Sequence, residues 1–172
     1  MATDVARYGP DIPTEAELKL CGNVEGKRVL ELGGAAQACI AFVRADSIDL
    51  AFSSYAFDEV DDLNRVFRQV HRVLRQEAPL VFSVSHPSYA MIDDAAEDPL
   101  LVRRSYFERS TVGEKPHRTI SELFTGLVRA NYRVDTILEP APASGGPRSS
   151  EWHESFKYVP RTLIIRARKE GI

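Results

Sequence analysis

Several residues of this chain are placed where they could do chemistry. Glu31 lies near the end of a short apolar run, residues 27–32 (KRVLEL), and is followed by the adjacent pair Gly33-Gly34. A carboxylate at the mouth of a strand can hold a cation, although a solvated strand-end acid has the same signature. The glycine pair lets a ligand approach the backbone, but glycine is also the default turn residue. His86 follows a second apolar run, residues 80–84 (LVFSV), and histidine titrates near neutrality. It is the candidate general base or acceptor-orienting group, the alternative being a strand-end cap. Tyr55 and Phe57 follow a third run, either as crevice residues or as core aromatics. Tyr89, Tyr106 and Trp152 occupy long loops and suit an apolar acceptor pocket.

These residues must be held by alternating strands and helices. Residues 1–13 read as an extended arm, with Pro10 and Pro13 blocking helix. Thr14 and Glu17 form a capping-box pattern opening a short helix to about Cys21, with Gly22 as its stop. Residues 27–32 suit a buried parallel strand, and residues 35–42 a helix packed closely on it. Residues 48–53 (IDLAFS) are a second strand. From Asp61-Asp62 runs the clearest helix, with Leu63, Val66, Phe67, Val70, Val73 and Leu74 on one face. Its aspartates lie at the positive end and Arg72 and Arg75 near the negative end. Residues 80–84 are a third strand, and 88–118 carry no regular pattern. Thr119 and Glu122 repeat the capping box before a helix to Ala130, with Asn131 able to take the left-handed position after it. Residues 132–138 alternate as a strand with Val134, Thr136 and Leu138 on one face. Residues 141–150 form a Pro/Gly/Ser loop and 161–167 (RTLIIRA) a last strand. The pattern predicts an α/β layered protein: a Rossmann-like, mostly parallel sheet with helices on both faces and an antiparallel C-terminal edge strand.

Composition narrows the function classes. Lys and Arg total 22 against 25 Asp and Glu, a net charge of -3, which argues against a nucleic-acid-tracking surface. Arg103-Arg104 is a local exception and reads as a solvated pair. No apolar run approaches the ~20 residues of a membrane span. The polar N-terminus lacks the apolar core of a secretory signal, and Cys21 and Cys39 form no metal or redox motif. The expectation is a cytoplasmic protein with reduced thiols, no metal, no nucleic-acid or membrane partner, and a small-molecule substrate; oligomeric state is open.

The order of motifs resembles a known family. VLELGGAAQ (29–37), then DLAFSSYAF (49–57), then RVFRQVHRVLR (65–75), then LVFSVSHP (80–87) is similar to class I S-adenosylmethionine-dependent methyltransferases. The last two blocks resemble those of actinobacterial-type small-molecule methyltransferases. The resemblance runs from about residue 8 to residue 168. It implies S-adenosylmethionine as cofactor and S-adenosylhomocysteine as product. It places Tyr8, Glu31, Gly33, Gly34, Ala35, Gln37, Ser54, Tyr55 and Ala56 at the cofactor, with Glu31 answering its ammonium. A glycine turn leading into a helix N-terminus suits the cofactor's carboxylate. Open α/β sheets bind ligands at the carboxyl ends of their strands.

Two departures stand against the family pattern. Gly33 and Gly34 are adjacent where the family separates them by one residue. The second strand begins about fifteen residues after the first ends, too few for the two further strand–helix units, of order 40–50 residues, that the family carries there. Those units hold the ribose- and adenine-binding residues. The expectation is a single methyltransferase domain over 1–172, with an arm and helix over 1–22, from which one segment is missing within 38–44 and a second within 110–117. If instead nothing is missing, the chain reads as a non-catalytic Rossmann-like module binding the cofactor or a protein. A nicotinamide-dependent oxidoreductase is disfavoured, because G-x-G-x-x-G is absent.

Overall fold

The computed structural model describes residues 14–33, 40–93, 95–108, 115–141 and 152–171. Five strands form one sheet: β1 (Val29–Glu31), β2 (Leu50–Ser54), β3 (Pro79–Ser85), β4 (Tyr132–Leu138) and β5 (Thr162–Lys169). The spatial order is β1-β2-β3-β5-β4. The pairs β1–β2 and β2–β3 are parallel, whereas β5 runs antiparallel to both β3 and β4. The last strand is thus inserted between β3 and β4, and β4 takes the edge.

Among the described residues three α-helices pack on this sheet: α1 (Thr14–Cys21), α2 (Leu63–Val73) and α3 (Ile120–Arg129). Side chains alternate across a sheet, so each strand residue belongs to one of two faces. Ala51, Leu80, Phe82, Val84, Leu163, Ile165 and Ala167 share one face and form a single core with the apolar stripes of α2 and α3. Phe57, Phe67 and Phe82 meet at centroid separations of 5.2–6.0 Å in edge and tilted geometries, adding to the burial energy of that core. Gly126 lets the two helices meet, because a Cβ there would lie 2.6 Å from Asn64 Oδ1 and 3.4 Å from the Phe67 ring. The opposite face, carrying Val81, Ser83 and Ser85, receives α1. Arg166, also on that face, donates to the Leu20 carbonyl at 3.4 Å.

Helix ends follow local chemistry. The Asp62 side chain accepts from the Arg65 amide and caps α2. Thr119 and Glu122 form the complete capping box of α3, and Asn131 adopts φ 63° after it. The Thr14 side chain of the first capping box lies outside the described residues; its expected partner Glu17 is only 2 % exposed and turns into the protein, where its Oε1 finds no partner among the described residues. On α2, His71 has its Nε2 buried without a partner among the described residues, and its ring stands edge-on to Tyr132 at 5.3 Å.

After β1, residues 40–42 form a single 3-10 turn, and Arg72 donates to the carbonyls of Ile40 and Val43 at 2.8 and 2.9 Å, tying this segment to α2. The rest of the helix expected over 35–42 lies outside the described residues. Of the proposed discontinuities, positions 38–39 of the first and 110–114 of the second also lie outside the described residues, whereas 40–44 and 115–117 are described. Among the described residues, β1 is an edge strand of three residues, with Val29 45 % exposed.

Candidate functional site

The parallel strands carry their carboxyl ends to one end of the sheet. Register places Glu31 beside Phe52 and Ser54 beside Ser83, while β5 places Thr162 beside Ser85. By alternation these six side chains share the α1 face of the sheet. That end of a mostly apolar sheet is therefore lined with serine, threonine and glutamate, which a purely structural core would not favour.

Glu31 ends β1 and is exposed. The backbone beyond it is held to β2: Leu32 donates to the Phe52 carbonyl at 2.7 Å, and Ser53 Oγ donates to the Leu32 carbonyl at 3.1 Å. At Gly33 an added Cβ would meet nothing within 4 Å among the described residues, which leaves room on this side of the backbone for a ligand. Gly34, Ala35 and Gln37, along with Tyr8, lie outside the described residues.

After Ser54 the chain turns sharply. Tyr55 takes φ 54°, the left-handed region, and heads a 3-10 turn over Ala56–Glu59. A non-glycine residue there must be held by its surroundings. Its amide donates to the Ser83 carbonyl at 3.1 Å, and its hydroxyl bonds Thr162 Oγ1. Burial pushes the Tyr55 phenol up to about 12, so it stays protonated. The Arg161 guanidinium lies 5.4 Å from the Tyr55 ring centroid and 4.9 Å from that of Tyr89, bridging the two rings by cation–π contact.

Behind Tyr55 stands Glu17, supplied by α1. Its carboxyl hydrogen-bonds the Ser83 side chain, yet burial pushes its pKa from 4.5 up to about 7. The same charge contributes to raising the Cys21 thiol to about 11, after burial, so that cysteine is no nucleophile. Sequence reading assigned Glu17 to a cap; nothing in its spacing distinguishes an inward from an outward glutamate at the first turn of a helix.

A pocket of about 160 Å³ opens beyond the end of β3. Ser85, Tyr89 and Asp58 line it, with an apolar wall from Val84, Pro87, Ile92 and Leu123. Asp58 accepts from the Ser85 amide through both oxygens; burial raises its pKa. Arg103 and Arg104 also line the pocket, so the pair is not merely a solvated surface feature.

The other sequence-nominated residues separate. Tyr89 lines the pocket and packs on Phe156 at 5.4 Å, and Phe156 in turn meets Trp152 at 5.4 Å. Trp152 thus supports the pocket's aromatic side from behind. Tyr106 anchors a loop: its hydroxyl accepts from the Ile120 amide at 3.2 Å, and its carbonyl accepts from His117 Nε2 at 2.8 Å. His86 is 2 % exposed with both ring nitrogens engaged. Nδ1 accepts from the Ser88 amide at 3.1 Å, which leaves Nε2 to donate to Glu139 at 2.8 Å. Its ring holds the loop after β3 in place and does not line the pocket. Among the described residues there is no group of three or more His, Cys, Asp or Glu able to hold a metal, and no helix long and apolar enough to cross a membrane.

Comparison with known proteins agrees with this geometry. Residues 15–82 match the family model described as a methyltransferase domain. An S-adenosylmethionine-dependent methyltransferase from Mesorhizobium loti superposes with a TM-score of 0.68 at 21% identity, covering 90% of this chain and 96% of that one. A Listeria monocytogenes protein provisionally described as the same kind of enzyme gives a TM-score of 0.72 at 19% identity, covering 92% and 96%. An uncharacterized protein of Haemophilus influenzae is 22% identical over 90% of this chain. The chain spans 66% of that relative's length. The fold is the Rossmann-like fold of class I S-adenosylmethionine-dependent methyltransferases.

Proposed function

We propose that this protein transfers a methyl group from S-adenosylmethionine to a small-molecule acceptor. The carrying observation is the juxtaposition of Glu31, the open backbone at Gly33 and the Ser54–Tyr55 turn at the carboxyl ends of adjacent parallel strands. These residues fit the cofactor: a carboxylate for its ammonium, a glycine turn for close backbone approach, and a hydrogen-bonded turn beside the next strand. The cofactor supplies an activated methyl group on a sulfonium. The protein's own task is to hold the two reactants in line and exclude water, which can contribute ~7–11 kcal/mol.

Tyr55, fixed by Thr162 and Arg161, heads the 3-10 turn that carries Asp58 from the end of β2 to the pocket beyond β3, so the acceptor body belongs in that pocket. His86 shapes the pocket's loop. The resemblance of residues 65–87 to actinobacterial-type small-molecule methyltransferases speaks for a small acceptor, as does the net charge of -3. We further propose a single domain with a cytoplasmic location, in which the natural sheet continues past β1 through units missing within 38–44.

The short β1 with its open edge favours one competing reading, a Rossmann-like module that binds without catalysing. Calorimetric titration with S-adenosylmethionine and S-adenosylhomocysteine tests the proposal. Micromolar binding of both supports the cofactor site, and turnover of S-adenosylmethionine to S-adenosylhomocysteine separates an enzyme from a module that only binds; no heat and no thermal shift with either rejects the proposal.

A further inference from the structure

Resting on the reading above, we propose that the pocket beyond β3 selects an acceptor carrying a carboxylate or phosphate on an apolar body. The chain as a whole is acidic, yet among the described residues this pocket is lined by four cationic side chains, Arg103, Arg104, Lys115 and Arg118, against one carboxylate, Asp58. That carboxylate is turned onto the Ser85 amide and faces a ligand poorly.

The four cations divide by task. Arg118 is spent on the fold, donating to the carbonyls of Phe57, Val60 and Asp61. Lys115 pairs with Glu59 at 2.5 Å on the exposed side. Arg103 and Arg104 are the pair delivered by a dedicated piece of structure. Ile92 and Val102 form an antiparallel bridge, the Asp93 backbone amide donates to the Leu101 carbonyl at 2.8 Å, and the Arg103 backbone amide donates to the Met91 carbonyl at 2.8 Å. This folds the loop after β3 back on itself and sets the two arginines at the pocket. Guanidinium groups suit planar or tetrahedral anions through paired N–H donors. The start of α3 lies at the same pocket through Arg118 and Leu123, and its positive end adds to the field. Val84, Pro87, Ile92 and Leu123 give an apolar surface for the rest of the ligand. At about 160 Å³ the pocket accepts a small organic anion and not a nucleic-acid strand.

The test titrates the intact protein with phenyl phosphate, benzoate, benzyl alcohol and benzylamine, reading backbone amide shifts at Ser85, Arg118 and Leu123. Both anions should shift these amides, the preference between them separating phosphate from carboxylate recognition. Benzylamine should not. Arg103→Glu with Arg104→Glu should weaken the anions about tenfold or more, as expected for lost charge-assisted contacts, while Arg129→Glu, on the far end of α3, should not. Equal binding of benzylamine, or charge reversal that changes anion affinity by less than about twofold, overturns the proposal. S-adenosylhomocysteine is titrated in parallel on each variant. Donor binding with no anion preference overturns the pocket assignment alone; anion binding without donor binding removes its assignment as a methyl-acceptor site.

Discussion

The amide of Ser85 donates to both carboxylate oxygens of Asp58, at 3.2 and 3.0 Å. This contact joins the end of β3 to the 3-10 turn that follows β2, and so fixes two walls of the acceptor pocket against each other. Asp58→Ala should leave the Ser85 amide without its acceptor and lower stability by about 1–3 kcal/mol. Asp58→Asn keeps one acceptor oxygen and should cost less. Urea unfolding midpoints of the three proteins check this, and equal midpoints would show that the contact contributes nothing.

Glu17 should write a pH signature into stability. Its carboxyl has an ordinary value of 4.5 and a folded value of about 7. The folded state therefore binds more protons than the unfolded state between those values. Stability falls as pH rises from 4.5 through about 7, by up to about 3 kcal/mol in total. Glu17→Gln should flatten this slope and be relatively more stable at pH 8. Thermal unfolding from pH 5 to pH 8 reads it directly; an unchanged slope in the variant contradicts the assignment.

Thr119 accepts from the Glu122 amide and completes the cap of α3. Thr119→Ala should cost about 1 kcal/mol. Because α3 starts at the pocket, the same variant should also loosen amide protection over residues 120–123, which hydrogen exchange measures.

Glu31 separates binding from folding. It is exposed, so Glu31→Gln should change stability by no more than about 0.5 kcal/mol. Its proposed partner is the cofactor's ammonium, so S-adenosylhomocysteine should bind about tenfold more weakly or worse, in keeping with loss of a charge-assisted contact. Calorimetry decides, and unaltered affinity would remove Glu31 from the site.

Local features were legible in the residues alone. The bounds of α1 and β4, the capping box of Thr119 and Glu122, the left-handed Asn131 and the inward face of α2 all depend on neighbours within about four positions, and each appears where spacing puts it. The alternation of strands and helices likewise sufficed for a Rossmann-like sheet. The insertion of β5 between β3 and β4 did not follow from any local pattern, because pairing partners lie far apart in sequence. The same distance hid the fates of individual side chains. Glu17 is buried against β3; His86 spends both nitrogens on Ser88 and Glu139; Arg103 and Arg104 meet a pocket through a bridge from Ile92 to Val102. Periodicity determines which residues form an element and which face is apolar, since those depend on backbone geometry. Whether a polar side chain faces water, a cavity or another element depends on what the rest of the chain places opposite it, and only the tertiary structure decides that.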